Sequence, residues 1–370
     1  MGTNSASLEQ LKESVARSGL DAFVLTPGPT LQWVTQHDFT SHERLFLLIV
    51  GADGSAQAVV PALEESNWRE AVPAVDSVHP WDDADGPERA AASALAPYAS
   101  ASKVGVEPLG CRFMELAHLQ RGLPGVEIVG AEEISSSLRL HKAAHEAEAI
   151  RGAADIAQAA LEFTLQQVKV GSREREIAAT LSSQLLSRGG EGISFGPIVL
   201  GGPKSALPHG IPDDRELRAG EYLLIDFGTA HKGYHCDITR TFVVGAEPDE
   251  RTRAVYEAVR ASNAAGCAAS KPGATMHEVH TACQQNLHEP QWDEFFKHRT
   301  GHGLGLDIHE PPSVMRGNEE VVEEGMIFTV EPGLYLDGWG GVRIEDDLWI
   351  RSDGADSLTS YPRELQILGV

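Results

Sequence analysis

The chain has 370 residues, with 30 Lys and Arg against 54 Asp and Glu, and so a formal net charge of −24 at pH 7. A surface of that sign repels phosphate backbones and anionic lipid, which argues against a nucleic-acid or membrane partner. The length exceeds what one hydrophobic core usually serves and points to two domains.

The N-terminal stretch MGTNSASLEQLKESV has no basic patch ahead of an apolar core, so no signal peptide is expected. No apolar run approaches the ~20 residues that cross a bilayer. Cys111, Cys236, Cys267 and Cys283 form no C-x-x-C pair and no disulfide-type spacing, as expected of reduced thiols in a cytoplasmic protein. Leu8, Leu11 and Val15 share one helical face, and the apolar runs AFVLTP, LFLLIV and AQAVVP then alternate with helical patterns as far as VEIVGA. That alternation predicts an α/β domain over residues 1–138.

Residues 139–370 read as a second, α+β domain. Ile150, Ala154, Ala157, Leu161, Leu165 and Val168 recur at helical spacing between His141 and Val168, and a second helix is expected between Ser172 and Gly189-Gly190. EYLLIDFGTAHKGYHCDITRTFVV follows as two β-rich runs about a short polar loop, a hairpin. The order then recurs. A helix after Pro248 and the helical EVHTACQQNLHEP precede GMIFTVEPGLYLDGWGGVRIEDDLWI, two strands about a Gly-rich turn. Helices followed by a hairpin, twice, imply internal pseudo-twofold symmetry.

Both hairpins carry acids in otherwise apolar strands. A first turn over Ala230 to Gly233 would put Asp226 directly opposite Asp237, and a second turn centred on Gly338 would oppose Glu331 and Glu345. A single acid on a strand usually faces solvent, but two facing pairs of like charge are unfavourable unless something positive lies between them. Two divalent cations would balance four carboxylates, and an oxygen-rich set with one imidazole suits Mn, Co, Fe or Zn. His302 and His309, in TGHGLGLDIHEPP, are the nearest candidates for the nitrogen. Their glycines and prolines exclude a helical H-E-x-x-H site, and seven positions on a regular strand would send the rings to opposite faces.

Five stretches, SFGPIVLGGPKSALPHG, LLIDFGTAHKGYHCDITRTF, TGHGLGLDIHEPP, MIFTVEPGLY and GGVRIEDD, together resemble the pita-bread metallopeptidases, in that family's order. TLQWVTQHDFTSHERLFLLIV resembles the creatinase-like N-terminal domain of its Xaa-Pro branch, prolidase and aminopeptidase P. The resemblance implies two divalent ions per subunit, Mn foremost, with Asp226 on one, Asp237 and Glu345 bridging, and His302 and Glu331 completing the second. It implies Glu331 as the base that takes a proton from the attacking water. His209 and His309 would touch substrate and stabilise the tetrahedral intermediate. Arg343 is placed to neutralise the cluster, to orient Glu345 or to bind a substrate carboxylate.

The expected activity is hydrolysis of the Xaa-Pro bond of a small peptide at a free N-terminus, by an Xaa-Pro dipeptidase or, on longer peptides, an aminopeptidase P. A cytoplasmic homodimer is expected from the same branch. A methionine aminopeptidase is disfavoured by the N-terminal domain. A metal-free creatinase-like or binding relative is disfavoured because all five ligand positions carry metal-binding residues.

Overall fold

Residues 3–40, 42–72, 74–287 and 290–369 are described by the computed structural model, in which the chain divides into two units between Arg139 and Leu140. The first unit is built on a six-stranded sheet of β1 (Ala22–Leu25), β2 (Leu47–Gly51), β3 (Ala56–Pro61), β4 (Ser77–Trp81), β5 (Lys103–Val106) and β6 (Glu127–Gly130). Its order is β4-β3-β2-β1-β5-β6, with β1–β2 and β2–β3 antiparallel and the remaining pairs parallel.

The sheet is apolar on both faces, as period-two alternation requires when both are covered. Phe23, Leu25, Leu48 and Val50 pack with Leu8, Leu11 and Val15 of the helix Thr3–Ser18. Ala22, Val24, Leu47 and Ile49 face the other way, onto Leu95 of Glu88–Leu95 and Leu119 of Phe113–Gly122. The predicted stripe Leu8, Leu11 and Val15 is wholly buried.

In the second unit the helices Ala144–Leu165 and Glu174–Ser187 precede a four-stranded sheet, ordered Ile367–Leu368, Ile238–Val244, Tyr222–Phe227, Ile198–Gly201. Then Glu250–Ala269 and Met276–Gln285 precede a five-stranded sheet, ordered Glu310–Val314, Gly301–Gly303, Ile327–Val330, Asp346–Arg351, Gly354–Ser357. The repeat of helix pair and hairpin is thus present in three dimensions. Caps explain two of the helix starts, since the Asp249 side chain accepts from Thr252 N–H and Thr275 with Glu278 forms a capping box. Of EVHTACQQNLHEP, the helix Met276–Gln285 takes in the residues from Glu278 to Gln285, and His288 and Glu289 lie outside the described residues. Among the described residues no helix is long and apolar enough to cross a membrane.

The two hairpins are braced to each other by Arg240, whose side chain is 1 % exposed. Its Nη1 donates to the carbonyls of Thr239 (2.9 Å) and Glu345 (2.6 Å), and its Nη2 pairs with Asp346 at 2.7 Å. A guanidinium suits this place because its planar fork satisfies several oxygens at once, which a buried charge requires.

Candidate metal centre

Turn chemistry decides which acids meet. In the first hairpin the turn is the two-residue Lys232-Gly233, with φ of 53° and 78°, a backbone found in tight antiparallel connections. His231 therefore pairs with Tyr234, and Asp226 faces Thr239 rather than Asp237. The predicted turn lay one position too early. The resulting slip is two residues, which preserves the face, so Asp237 still points to the side of the sheet that carries Asp226.

In the second hairpin Gly338 adopts φ 75° at the turn, and Gly333 pairs with Arg343 while Val330 pairs with Asp346. That register opposes Glu331 to Glu345 as expected. The two glutamates fall where the hairpin's own ladder thins to one long bond, from Ile344 N–H to Pro332 O at 3.4 Å. Glu331 N–H donates instead to Thr300 O (2.7 Å) and Glu345 N–H to Thr239 O (3.1 Å), which ties each acid to another strand.

His302 lies on the short strand Gly301–Gly303, and its neighbours must be small. A Cβ at Gly301 would fall 1.8 Å from Thr329 O, and one at Gly303 would fall 2.1 Å from Pro311 O. The strand ends at Gly303 with a register shift, so the regular-strand rule that sends His302 and His309 to opposite faces does not apply. Their rings meet edge to face, with centroids 4.3 Å apart.

Asp237, His302 and Glu345 are buried, and one donor atom from each lies within 4.8 Å of the others. His302 Nδ1–H donates to Gly303 O at 3.0 Å, which leaves the Nε2 lone pair facing Asp237 Oδ2 (3.7 Å) and Glu331 Oε1 (3.6 Å). Burial, with the nearby His309, drives the His302 pKa down to about 3, so the ring is neutral. Burial and then Glu345, Asp226 and Asp347 push Asp237 well above the usual carboxylate range. Burial and then Glu331 and Asp226 do the same to Glu345, against Arg343. Glu331 is raised to about 8, again by burial first, with Arg343 opposing and Asp226 reinforcing.

These residues fit a bound cation on two counts. Asp226 Oδ1, Asp237 Oδ1 and Glu345 Oε1 are buried without a hydrogen-bond partner, a costly state for an acceptor unless a positive charge satisfies it. The neutral imidazole also presents a free lone pair to the same space. Carboxylate oxygens with a single nitrogen suit a borderline or hard divalent ion.

Arg343 is 3 % exposed and sits inside the cluster. Its Nη2 pairs with Asp226 Oδ2, its Nε donates to Thr239 Oγ1 (3.1 Å) and its Nη1 to Tyr335 Oη (2.6 Å). Thr239 Oγ1 in turn donates to Glu345 Oε2 at 2.7 Å. Two of the openings left by sequence, neutralising the cluster and orienting Glu345, thus have contacts behind them.

A cavity of about 410 Å³, in the range of small-ligand pockets, opens onto this cluster, lined also by Phe195, Ile198, Pro208, His209, His298, Arg299 and His309. His209 and His309 are exposed at its wall, whereas the five expected ligands form its floor. His298 was not singled out from sequence, although it lies four positions before His302. Its Nδ1–H donates to Arg299 O (2.6 Å), and its Nε2 meets Tyr335 Oη at 2.7 Å. Tyr335 and Asp347 were also missed. Asp347 Oδ2 accepts from Asp237 N–H at 3.1 Å, a contact across 110 positions that no local pattern signals.

Two family models match the chain: the Creatinase/Prolidase N-terminal domain over residues 8–141 and Metallopeptidase family M24 over residues 148–352. An Xaa-Pro dipeptidase of Lactobacillus helveticus is 31 % identical over 374 residues, covering 98 % of this chain and 99 % of that protein. The solved Xaa-Pro dipeptidase from Bacillus anthracis superposes with a TM-score of 0.90 at 30 % identity, over 99 % of this chain and 100 % of that one. The X-Pro aminopeptidase from Thermotoga maritima does so with a TM-score of 0.82 at 25 % identity, over 96 % and 100 % of the two chains. With the M24 model spanning more than half of its length and the prolidase-type domain ahead of it, the chain belongs to metallopeptidase family M24, a family that implies divalent metal ions.

Proposed function

We propose that the protein is a dimetal Xaa-Pro dipeptidase, hydrolysing the bond before proline in small peptides with a free N-terminus. The observation that carries this reading is the set of partnerless buried carboxylate oxygens of Asp226, Asp237 and Glu345 at the floor of a small cavity. Asp226, Asp237, His302, Glu331 and Glu345 would hold two ions, Mn best, with Co, Zn or Fe compatible with the same donors. Bound there, divalent cations supply the positive charge that polarises the scissile carbonyl and makes water more acidic.

The chain's own groups do the rest. Glu331, facing His302, accepts the proton of the attacking water and returns it to the departing proline nitrogen, which as an imide has no hydrogen of its own. His209 and His309 donate to the carbonyl oxygen as it gains charge. Phe195, Ile198 and Pro208 offer the apolar wall a proline ring needs. Arg343 holds Asp226 and, through Thr239, orients Glu345.

An aminopeptidase P activity on longer peptides is the second reading, favoured by the likeness to the Thermotoga structure. The cleft of about 410 Å³ has room for a small peptide, and the dipeptide reading is supported by the whole-chain likeness to Xaa-Pro dipeptidases. Comparing Xaa-Pro dipeptides with Xaa-Pro-Xaa tripeptides on Mn-loaded protein decides, since turnover of the dipeptide alone is expected. Preference for the tripeptide selects aminopeptidase P, and equal turnover of Xaa-Ala refutes proline specificity. A cytoplasmic homodimer belongs to the same reading through the family resemblance, and the charge of −24 supports the lack of a nucleic-acid partner.

The two histidines of TGHGLGLDIHEPP separate in a second test. His302→Ala is expected to lose bound metal. His309→Ala should keep its metal and lose about 10²- to 10³-fold in kcat, the usual cost of one oxyanion donor. Metal analysis beside turnover checks both, and metal loss in His309→Ala would reassign that residue.

A further inference from the structure

We infer that Asn263 sets the separation of Glu331 and Glu345 and is a positioning residue for the metal centre, a role that rests on the metal-binding reading above. Asn263 is wholly buried on the helix Glu250–Ala269. Its Nδ2 donates to Val330 O at 2.9 Å and to Ile344 O at 3.3 Å. Those carbonyls belong to the residues immediately before Glu331 and Glu345.

The place matters because the hairpin's own rung there is only half made: Ile344 N–H reaches Pro332 O at 3.4 Å, but Pro332 has no N–H to return to Ile344 O. Pairing runs as far as Val330 with Asp346 and resumes at Gly333 with Arg343, and both glutamate N–H groups leave to other strands. One carboxamide, with its two hydrogens, supplies Ile344 O with the donor that Pro332 lacks and ties it to Val330 O. The amide orientation follows from chemistry, since two carbonyls require donors and the Cys267 thiol contacts Oδ1 at 3.9 Å. A side chain with one donor cannot hold both strands.

The helix is built to bring this short side chain close. Gly266, three residues on and on the same face, packs where a Cβ would fall 2.8 Å from Val330 Cγ1 and 2.3 Å from Cys283 Sγ. Asn263 therefore reaches both strands from a helix that almost touches them. Groups that orient ligands from behind in this way typically change metal affinity about 10- to 100-fold when lost.

Ser262 provides the control. It is equally buried on the same helix, but its Oγ donates to Cys283 O (2.8 Å) and not to the hairpin. Mn2+ titration, read by the electron paramagnetic resonance of free Mn2+, is compared with thermal melting for the parent, Asn263→Leu, Asn263→Gln and Ser262→Ala. Asn263→Leu is expected to bind Mn2+ about 10- to 100-fold more weakly, Asn263→Gln, which keeps both donors, to stay close to the parent, and Ser262→Ala to melt earlier with unchanged affinity. Should Asn263→Leu fail to fold, Asn263→Ser, which cannot span both carbonyls, carries the same expectation. Parental affinity in the Leu or Ser variant, a Gln variant as weak as Leu, or an equal loss in Ser262→Ala overturns the assignment. A parent that binds no Mn2+ overturns the metal-binding reading itself and this inference with it.

Discussion

Glu331→Gln is expected to lower kcat on an Xaa-Pro dipeptide by about 10²- to 10⁴-fold, the range that general acid–base groups supply. The substitution keeps the size of the side chain and one carbonyl oxygen, so the backbone bond from Glu331 N–H to Thr300 O at 2.7 Å has no reason to move. What disappears is the proton acceptor beside His302 Nε2. Metal content measured on the same sample separates this role from ligation. A variant that retains metal but has lost turnover assigns proton transfer to Glu331. A change confined to KM, with kcat near the parent's, would remove Glu331 from the chemical step.

Stripping the metal should make stability fall as pH rises, the reverse of ordinary acid denaturation. A carboxyl whose pKa is higher in the folded chain binds its proton more tightly there. Its contribution is fully present below the unfolded-state value and is lost as pH rises through the folded-state value. For Glu331 that window runs from 4.5 to about 8, and Asp237 and Glu345 are shifted in the same direction. Each pH unit within the window removes at most about 1.4 kcal/mol per group. The lowered pKa values of His302 and His298, about 3 and about 4, act the other way up to the unfolded-state value of 6.5, so the chelated protein is expected to show a Tm that declines from pH 6.5 to pH 8. Mn2+ should restore it most at the upper end, where the carboxylates are closest to ionised and binding displaces the fewest protons. A metal-free Tm that is flat or rises across that span would refute this account of the cluster.

The gathering of four acids and one histidine at a single cavity was legible because each sits in a local context that betrays it: Asp226, Asp237, Glu331 and Glu345 in apolar strands, His302 between two glycines. The second hairpin's register followed from Gly338, whose turn conformation glycine adopts freely. The first was misplaced by one position because Lys232, which carries a Cβ, took a left-handed backbone. What stayed hidden depends on contacts far apart in the chain. Arg343 reaches Asp226 across 117 positions and Thr239 reaches Glu345 across 106, distances at which strand periodicity says nothing. Tyr335 and His298 joined the site by the same route, through one hydrogen bond between them at 2.7 Å. In the first unit the Leu8, Leu11 and Val15 stripe was readable because helical spacing alone defines it.

The division of the cluster between two hairpins bears on how the protein is made. Asp226 and Asp237 come from the first repeat, while His302, Glu331 and Glu345 come from the second. A ribosome delivers the two aspartates long before their partners exist, and at that stage they have neither the imidazole nor the opposing carboxylates to retain an ion. With the proposed ligand set, metal retention would follow translation of both repeats and the docking of Thr239 against Glu345, so that a metal-bearing molecule would also be one whose two repeats have come together.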